Sequence, residues 1–159
     1  MRSILILEPI GKMGSSLLHY LLEQEHWVTA LVKKPSLVPI QHPKLEVLQG
    51  EQVAYRALIR AMEGQELVIV CFQKTNADFG HQQNVLDAMA INHIRVLIVL
   101  KPVKSGHMEW SNVEIVQWNN PKIAVYLYAY PVVLEDFNPE FFTKFQAIFN
   151  SMGTHLDSS

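Results

Sequence analysis

Short, uninterrupted apolar runs recur along this chain with helical stretches between them, and that alternation limits the fold more than any other feature. Ser3 to Leu7, Trp27 to Val32 (WVTALV), Leu45 to Leu48, Leu67 to Phe72 (LVIVCF) and Val96 to Leu100 (VLIVL) each read as a strand. Apolarity without alternating polar residues marks strands buried on both faces of a parallel sheet. Between them, Met13, Leu17, Leu18, Leu21 and Leu22 recur at helical spacing as far as Glu23. Val53 to Met62 reads as a second helix with Ala54, Ala57, Leu58, Ala61 and Met62 inward, ended by Gly64. His81 to Asn92 forms a third, aligning Val85, Leu86 and Met89. Strand–helix alternation with short links predicts a doubly wound α/β domain: a mainly parallel sheet with helices on both faces and right-handed crossovers. Pro35, Pro39 and Pro43 make a stiff, non-helical excursion after the second strand.

The pattern loosens after Lys101-Pro102. Val113 to Trp118 and Ile123 to Tyr130 are both strand-like around the turn Asn119-Asn120-Pro121. Periodicity leaves open whether they pair as a hairpin or continue the parallel sheet. Asn138-Pro139-Glu140 then offers a capping side chain, a first-turn proline and an acid at the positive end of a helix dipole. Phe141, Phe142, Phe145, Ile148, Phe149 and Met152 follow as one apolar stripe, closed by Gly153. The stripe reads as core, with a subunit interface, hence a homodimer, as the alternative. Residues 1–153 are expected to form one domain and 154–159 a frayed tail.

Composition removes several classes of function. With 159 residues, 49% of them hydrophobic, the chain can bury a substantial core. A formal charge of −2 supplies no basic field for nucleic acid. The lone Cys71 excludes an internal disulfide and a cysteine zinc cluster and fits a reducing compartment. It sits inside an apolar strand, as a core thiol rather than a nucleophile. No apolar run reaches membrane-spanning length, and the first residues lack a signal-peptide layout, so a cytoplasmic protein without a membrane partner is expected. The seven histidines are scattered and show no metal-ligand spacing. There is no Gly-x-Ser-x-Gly elbow and no Walker A loop.

The strongest chemical signal is the first strand-to-helix turn, Leu7-Glu8-Pro9-Ile10-Gly11-Lys12-Met13-Gly14-Ser15. Glycines in such a turn let the backbone approach a pyrophosphate held at the helix N-terminus. Gly11 fits that approach, and Gly14 fits close helix–strand packing; the alternative is that both serve turn geometry alone. Lys33 and Lys34 follow the second strand, where an acid would accept from an adenosine ribose and a basic residue suits a 2′-phosphate. The polar segment Gln73-Lys74-Thr75-Asn76-Ala77-Asp78 follows the fourth strand at the carboxyl edge, where ligands collect in such folds.

Together with His26 to Pro35, Leu45 to Glu51 and Asn84 to Met89, this opening resembles the atypical short-chain dehydrogenase/reductases of the NmrA-like, NAD(P)-binding group, over about the first two-thirds of the chain. The resemblance implies a Rossmann-like fold with a dinucleotide over strands one, two and four. By position it makes Gly11, Lys12, Met13, Lys33, Glu51, Phe72, Gln73 and Lys74 the pocket lining, with Glu51 near the adenine; Gly14 and Lys34, from the turn and the end of the second strand, complete the expected cofactor-binding residues. Lys33 and Lys34 favour NADP(H) over NAD(H).

Three departures qualify that implication. Glu8 replaces the first glycine of the loop. A carboxylate about 5 Å from a phosphate charge costs roughly 3 kcal/mol at an effective dielectric of about 20, or about a hundredfold in affinity, unless Lys12, Lys33 or Lys34 pairs with it. The Tyr-x-x-x-Lys pair of catalytically active relatives is absent: four places after Tyr20, Tyr55, Tyr126, Tyr128 and Tyr130 stand Gln24, Ile59, Tyr130, Val132 and Leu134. That pair works because the lysine lowers the tyrosine pKa toward working pH. The chain is also short for the family, with little material for a substrate lobe. The expected function is a non-catalytic or weakly binding sensor or interaction module. The alternatives are an NADPH-dependent oxidoreductase acting on a small carbonyl, quinone or flavin, and a structural homodimer without cofactor.

Overall fold

The computed structural model describes residues 1–51, 54–72, 82–103, 113–116, 120–131, 142–143, 145–147 and 149–150. Seven strands, β1 (Ser3–Leu7), β2 (Trp27–Val32), β3 (Leu45–Gln49), β4 (Leu67–Cys71), β5 (Val96–Val103), β6 (Val113–Val116) and β7 (Ala124–Pro131), form one sheet in the order β3-β2-β1-β4-β5-β7-β6. The first six in that order are parallel, and β6 alone pairs antiparallel, with β7. Among the described residues, the helices α1 (Gly11–Glu23), α2 (Tyr55–Met62) and α3 (Gln82–Ile91) lie in the connections between strands. The doubly wound α/β expectation is met.

Alternation along the strands divides the core in two. Ile4, Ile6, Val28, Val32, Ile69, Cys71, Ile98 and Leu100 face α1 and the carboxyl-terminal helical residues. Leu5, Leu7, Leu31, Val68, Val70, Leu97 and Val99 face α2 and α3. Burial on both faces is what the uninterrupted apolar runs encode. The stripe Met13, Leu17, Leu18, Leu21 and Leu22 is buried throughout.

Several boundaries differ from the sequence expectation for physical reasons. α1 begins at Gly11, two residues early, because Ile10 is extended and acts as its N-cap. Ala54, expected inward, is instead the extended N-cap of α2 and is exposed; Val53 lies outside the described residues. Pro35–Leu37 makes one 3-10 turn within the proline excursion, for which a fixed proline φ is suited. β5 runs on through Pro102 to Val103. Beyond Leu100 its ladder with β4 has ended and only β7 pairs with it, so one side of the strand no longer needs a donor. The two late strands satisfy both alternatives: β6 and β7 pair antiparallel, and β7 also continues the parallel sheet beside β5.

The aromatic stripe docks on α1. Phe145 is fully buried and Phe149 nearly so, and Phe142 stacks on Tyr20 at 4.5 Å. The Tyr20 hydroxyl donates to Gln146 Oε1 at 2.6 Å, and burial raises the Tyr20 pKa. These rings are part of the chain's own core. The expected helix start at 138–140, Phe141, Ile148, Met152, Gly153 and the tail lie outside the described residues.

Candidate dinucleotide site

The strand order turns outward in both directions from β1: through β2 to β3 on one side, and through β4 to β5 on the other. The crevice beyond the carboxyl ends of β1 and β4 is therefore the switch point, where ligands bind in open α/β sheets. Four segments converge there: the loop Glu8–Gly11 with the start of α1, Lys33-Lys34 after β2, Gly50-Glu51 after β3, and Phe72 after β4.

The loop after β1 is built on two left-handed residues. Gly11 has φ 74°, as a glycine allows, and Glu8 has φ 55°. A non-glycine residue in this region is strained by its β carbon. The backbone thus keeps a glycine's conformation at the position where the sequence has lost the glycine. Two backbone bonds hold it: the Glu8 N–H donates to the Leu31 carbonyl at 2.9 Å, and the Ile10 N–H to the Glu8 carbonyl at 2.8 Å. Gly14 is buried one turn further on, against the backbone of Pro9. Its packing role, one of the two readings of the glycine pair, is plain in the structure.

The Glu8 side chain turns toward β2. Its Oε1 accepts the backbone N–H of Lys33 at 2.9 Å. The main-chain amide of Lys33 is a partner the sequence did not announce. The contact is possible because β1 and β2 are parallel neighbours in register, Leu7 beside Leu31, so both strands end at one level. Lys33 and Lys34 are exposed, and the Gly50 N–H donates to the Val32 carbonyl at 2.9 Å, closing the ends of β2 and β3 together.

The remaining expected residues divide by burial. Gly11, Lys12 and Glu51 are exposed at the edge of the crevice. Met13 is 5% exposed and packs beneath α1, so its side chain belongs to the core. Phe72 is buried with the α2–α3 layer. Gln73 and Lys74 lie outside the described residues. The first turn of α1 carries no acidic residue, and its N-cap Ile10 makes no side-chain cap bond; the positive end of a helix dipole favours an anion.

Elsewhere, a cavity of about 460 Å³ opens at the amino edge of the sheet, lined by Trp27, Thr29, Glu46 and Gln65 among others. It lies at the opposite end of the strands from the crevice. Among the described residues no group of His, Cys, Asp and Glu could hold a metal ion, and no helix is long and apolar enough to cross a membrane.

A family model described as NAD(P)H-binding matches residues 10–136, most of the chain and every segment of this crevice beyond Pro9. The chain belongs to the NAD(P)H-binding family. This family member is 38% identical over 61 residues to a 3 beta-hydroxysteroid dehydrogenase/Delta 5-->4-isomerase of Mycobacterium tuberculosis, a match covering 38% of the chain and 16% of that enzyme. Its fold is similar to that of a Rossmann-fold NAD(P)-binding family protein from Shigella flexneri, with a TM-score of 0.59 and 18% identity over 99% of this chain and 87% of that one. It is also similar to NmrA, a negative transcriptional regulator, with a TM-score of 0.54 and 18% identity over 62% of this chain and 33% of NmrA. These structural likenesses establish the Rossmann fold. The family member spans about a sixth of the dehydrogenase and a third of NmrA.

Proposed function

We propose that this NAD(P)H-binding family member is a small dinucleotide-responsive module, a sensor or interaction partner rather than an oxidoreductase, whose affinity is set low by Glu8. The observation that carries the reading is the loop itself. It keeps the glycine-like turn of a dinucleotide site, at φ 55°, yet carries a half-buried carboxylate held on the Lys33 amide at the edge of the crevice.

The non-catalytic part of the reading is supported by the missing Tyr-x-x-x-Lys pair. Without a cation beside it, a tyrosine keeps a pKa near or above its ordinary value and is a poor proton donor at neutral pH. Tyr126, within the parallel sheet, is moved further in that direction by burial. For the choice of dinucleotide two features oppose: the exposed amines of Lys33 and Lys34 favour a 2′-phosphate, and the Glu8 carboxylate disfavours one.

Calorimetric titration of wild type and Glu8→Gly with NADPH tests the reading. The variant is expected to bind about tenfold tighter, the Coulomb penalty being reduced by exposure to solvent. Equal affinities, or steady NADPH oxidation by wild type with quinones, flavins or aldehydes, would count against it.

A further inference from the structure

A dinucleotide crossing the carboxyl edge of a Rossmann sheet lays its adenosine ribose over the end of β2, where an acidic side chain from that strand ordinarily accepts from the 2′-hydroxyl. Here β2 is followed by Lys33 and Lys34, and no acid of its own is available. The acid arrives from the neighbouring strand. Glu8 Oε1 lies 2.9 Å from the backbone nitrogen of Lys33, the first residue past β2. That bond fixes a carboxylate beside the end of β2, next to the residues from which a β2 acid would project. Its anchor is rigid at both ends, because the Glu8 N–H is bonded to Leu31, two residues before Lys33.

We infer that Glu8 is the ribose-recognition residue of this crevice and that it makes the site selective for NAD(H) over NADP(H). A carboxylate offers about four lone-pair positions, more than the Lys33 amide can draw on. It can accept from ribose hydroxyls, which are donors, and it repels a 2′-phosphate, which presents only negative oxygens at neutral pH. Lys33 and Lys34 are then secondary: their exposed amines lower the discrimination without reversing it. The usual correlation between a basic residue after β2 and NADP(H) fails here because the deciding charge enters from β1. The inference rests on the reading of the carboxyl edge as a dinucleotide site.

The test titrates the full chain with NADH and with NADPH, as wild type, Glu8→Gln and Glu8→Gly. Glutamine keeps the length of the side chain and removes its charge, and glycine removes both side chain and strain. Wild type is expected to bind NADH about tenfold tighter than NADPH. Both variants are expected to lose that preference or to favour NADPH, as the lysine pair takes over. An NADH-to-NADPH ratio that is the same in all three proteins overturns the inference and leaves the dinucleotide site standing. So does a wild type that binds neither nucleotide while Glu8→Gly binds both. Binding by none of the three, with each shown to be folded by its melting transition, overturns the site and the inference together.

Discussion

A methyl group placed on Gly14 would lie 2.1 Å from the carbonyl carbon of Pro9 and 2.5 Å from its oxygen. Both are backbone atoms, so relief requires the whole loop to move. Gly14→Ala is expected to lower the unfolding free energy by about 3 kcal/mol and to carry Glu8 away from the Lys33 amide. Urea denaturation measures the first effect; a loss below about 1 kcal/mol would show that the loop yields easily. The packing of Gly14 was legible in the sequence, because a glycine three residues into a strand-to-helix turn is commonly there for close approach. The Glu8 contact was not. It depends on a glutamate adopting a positive φ, which no local pattern announces, and on a strand register that brings position 8 beside position 33.

At the level of elements, α1 is joined to β1 and to the carboxyl-terminal helical residues through His26, which follows it. The ring stacks on Phe149 at 5.5 Å, and Nδ1 accepts the Arg2 N–H at 3.0 Å. Burial depresses the His26 pKa, the amino terminus and Arg2 add to that, and Glu66 opposes them. The folded value thus lies below the ordinary 6.5. Between the two, the unfolded chain binds the extra proton, so stability rises with pH through that window and is fully present above it. Acid removes it, since a protonated Nδ1 would face the Arg2 N–H as a second donor. The melting temperature is expected to fall as pH drops from about 7 to about 5, and His26→Gln should flatten that part of the curve. An unchanged slope would place the acid sensitivity elsewhere. None of this was visible in a histidine read as one of seven scattered ones, because its partners are distant in the chain. The strands show the same division. Apolar runs reported burial faithfully for β1, β2, β4 and β5, whereas β3, at the edge of the sheet, is only partly covered; burial does not name a neighbour, so periodicity left the pairing of β6 and β7 open.

Over the whole molecule, the sheet separates two apolar layers, and Cys71 lies on β4 in the one beneath α1. Burial pushes its thiol up to about 12, far from the thiolate that reagents attack. Alkylation is therefore expected only through global opening, at a rate that rises with denaturant in step with unfolding. Rapid labelling in native buffer would mean that the layer opens locally. The order of the sheet carries a different consequence. β1 pairs with β2 on one side, but its other edge waits for β4, which comes two crossovers later in the chain. Any state that has joined β1 to β2 without β4 exposes the unpaired amides and carbonyls of Ile4-Leu5-Ile6-Leu7, an apolar edge ready to template another chain. A segment that is fully buried in the finished protein is thus adhesive while it is being made, so concentration and the speed of β4 docking decide between folding and aggregation.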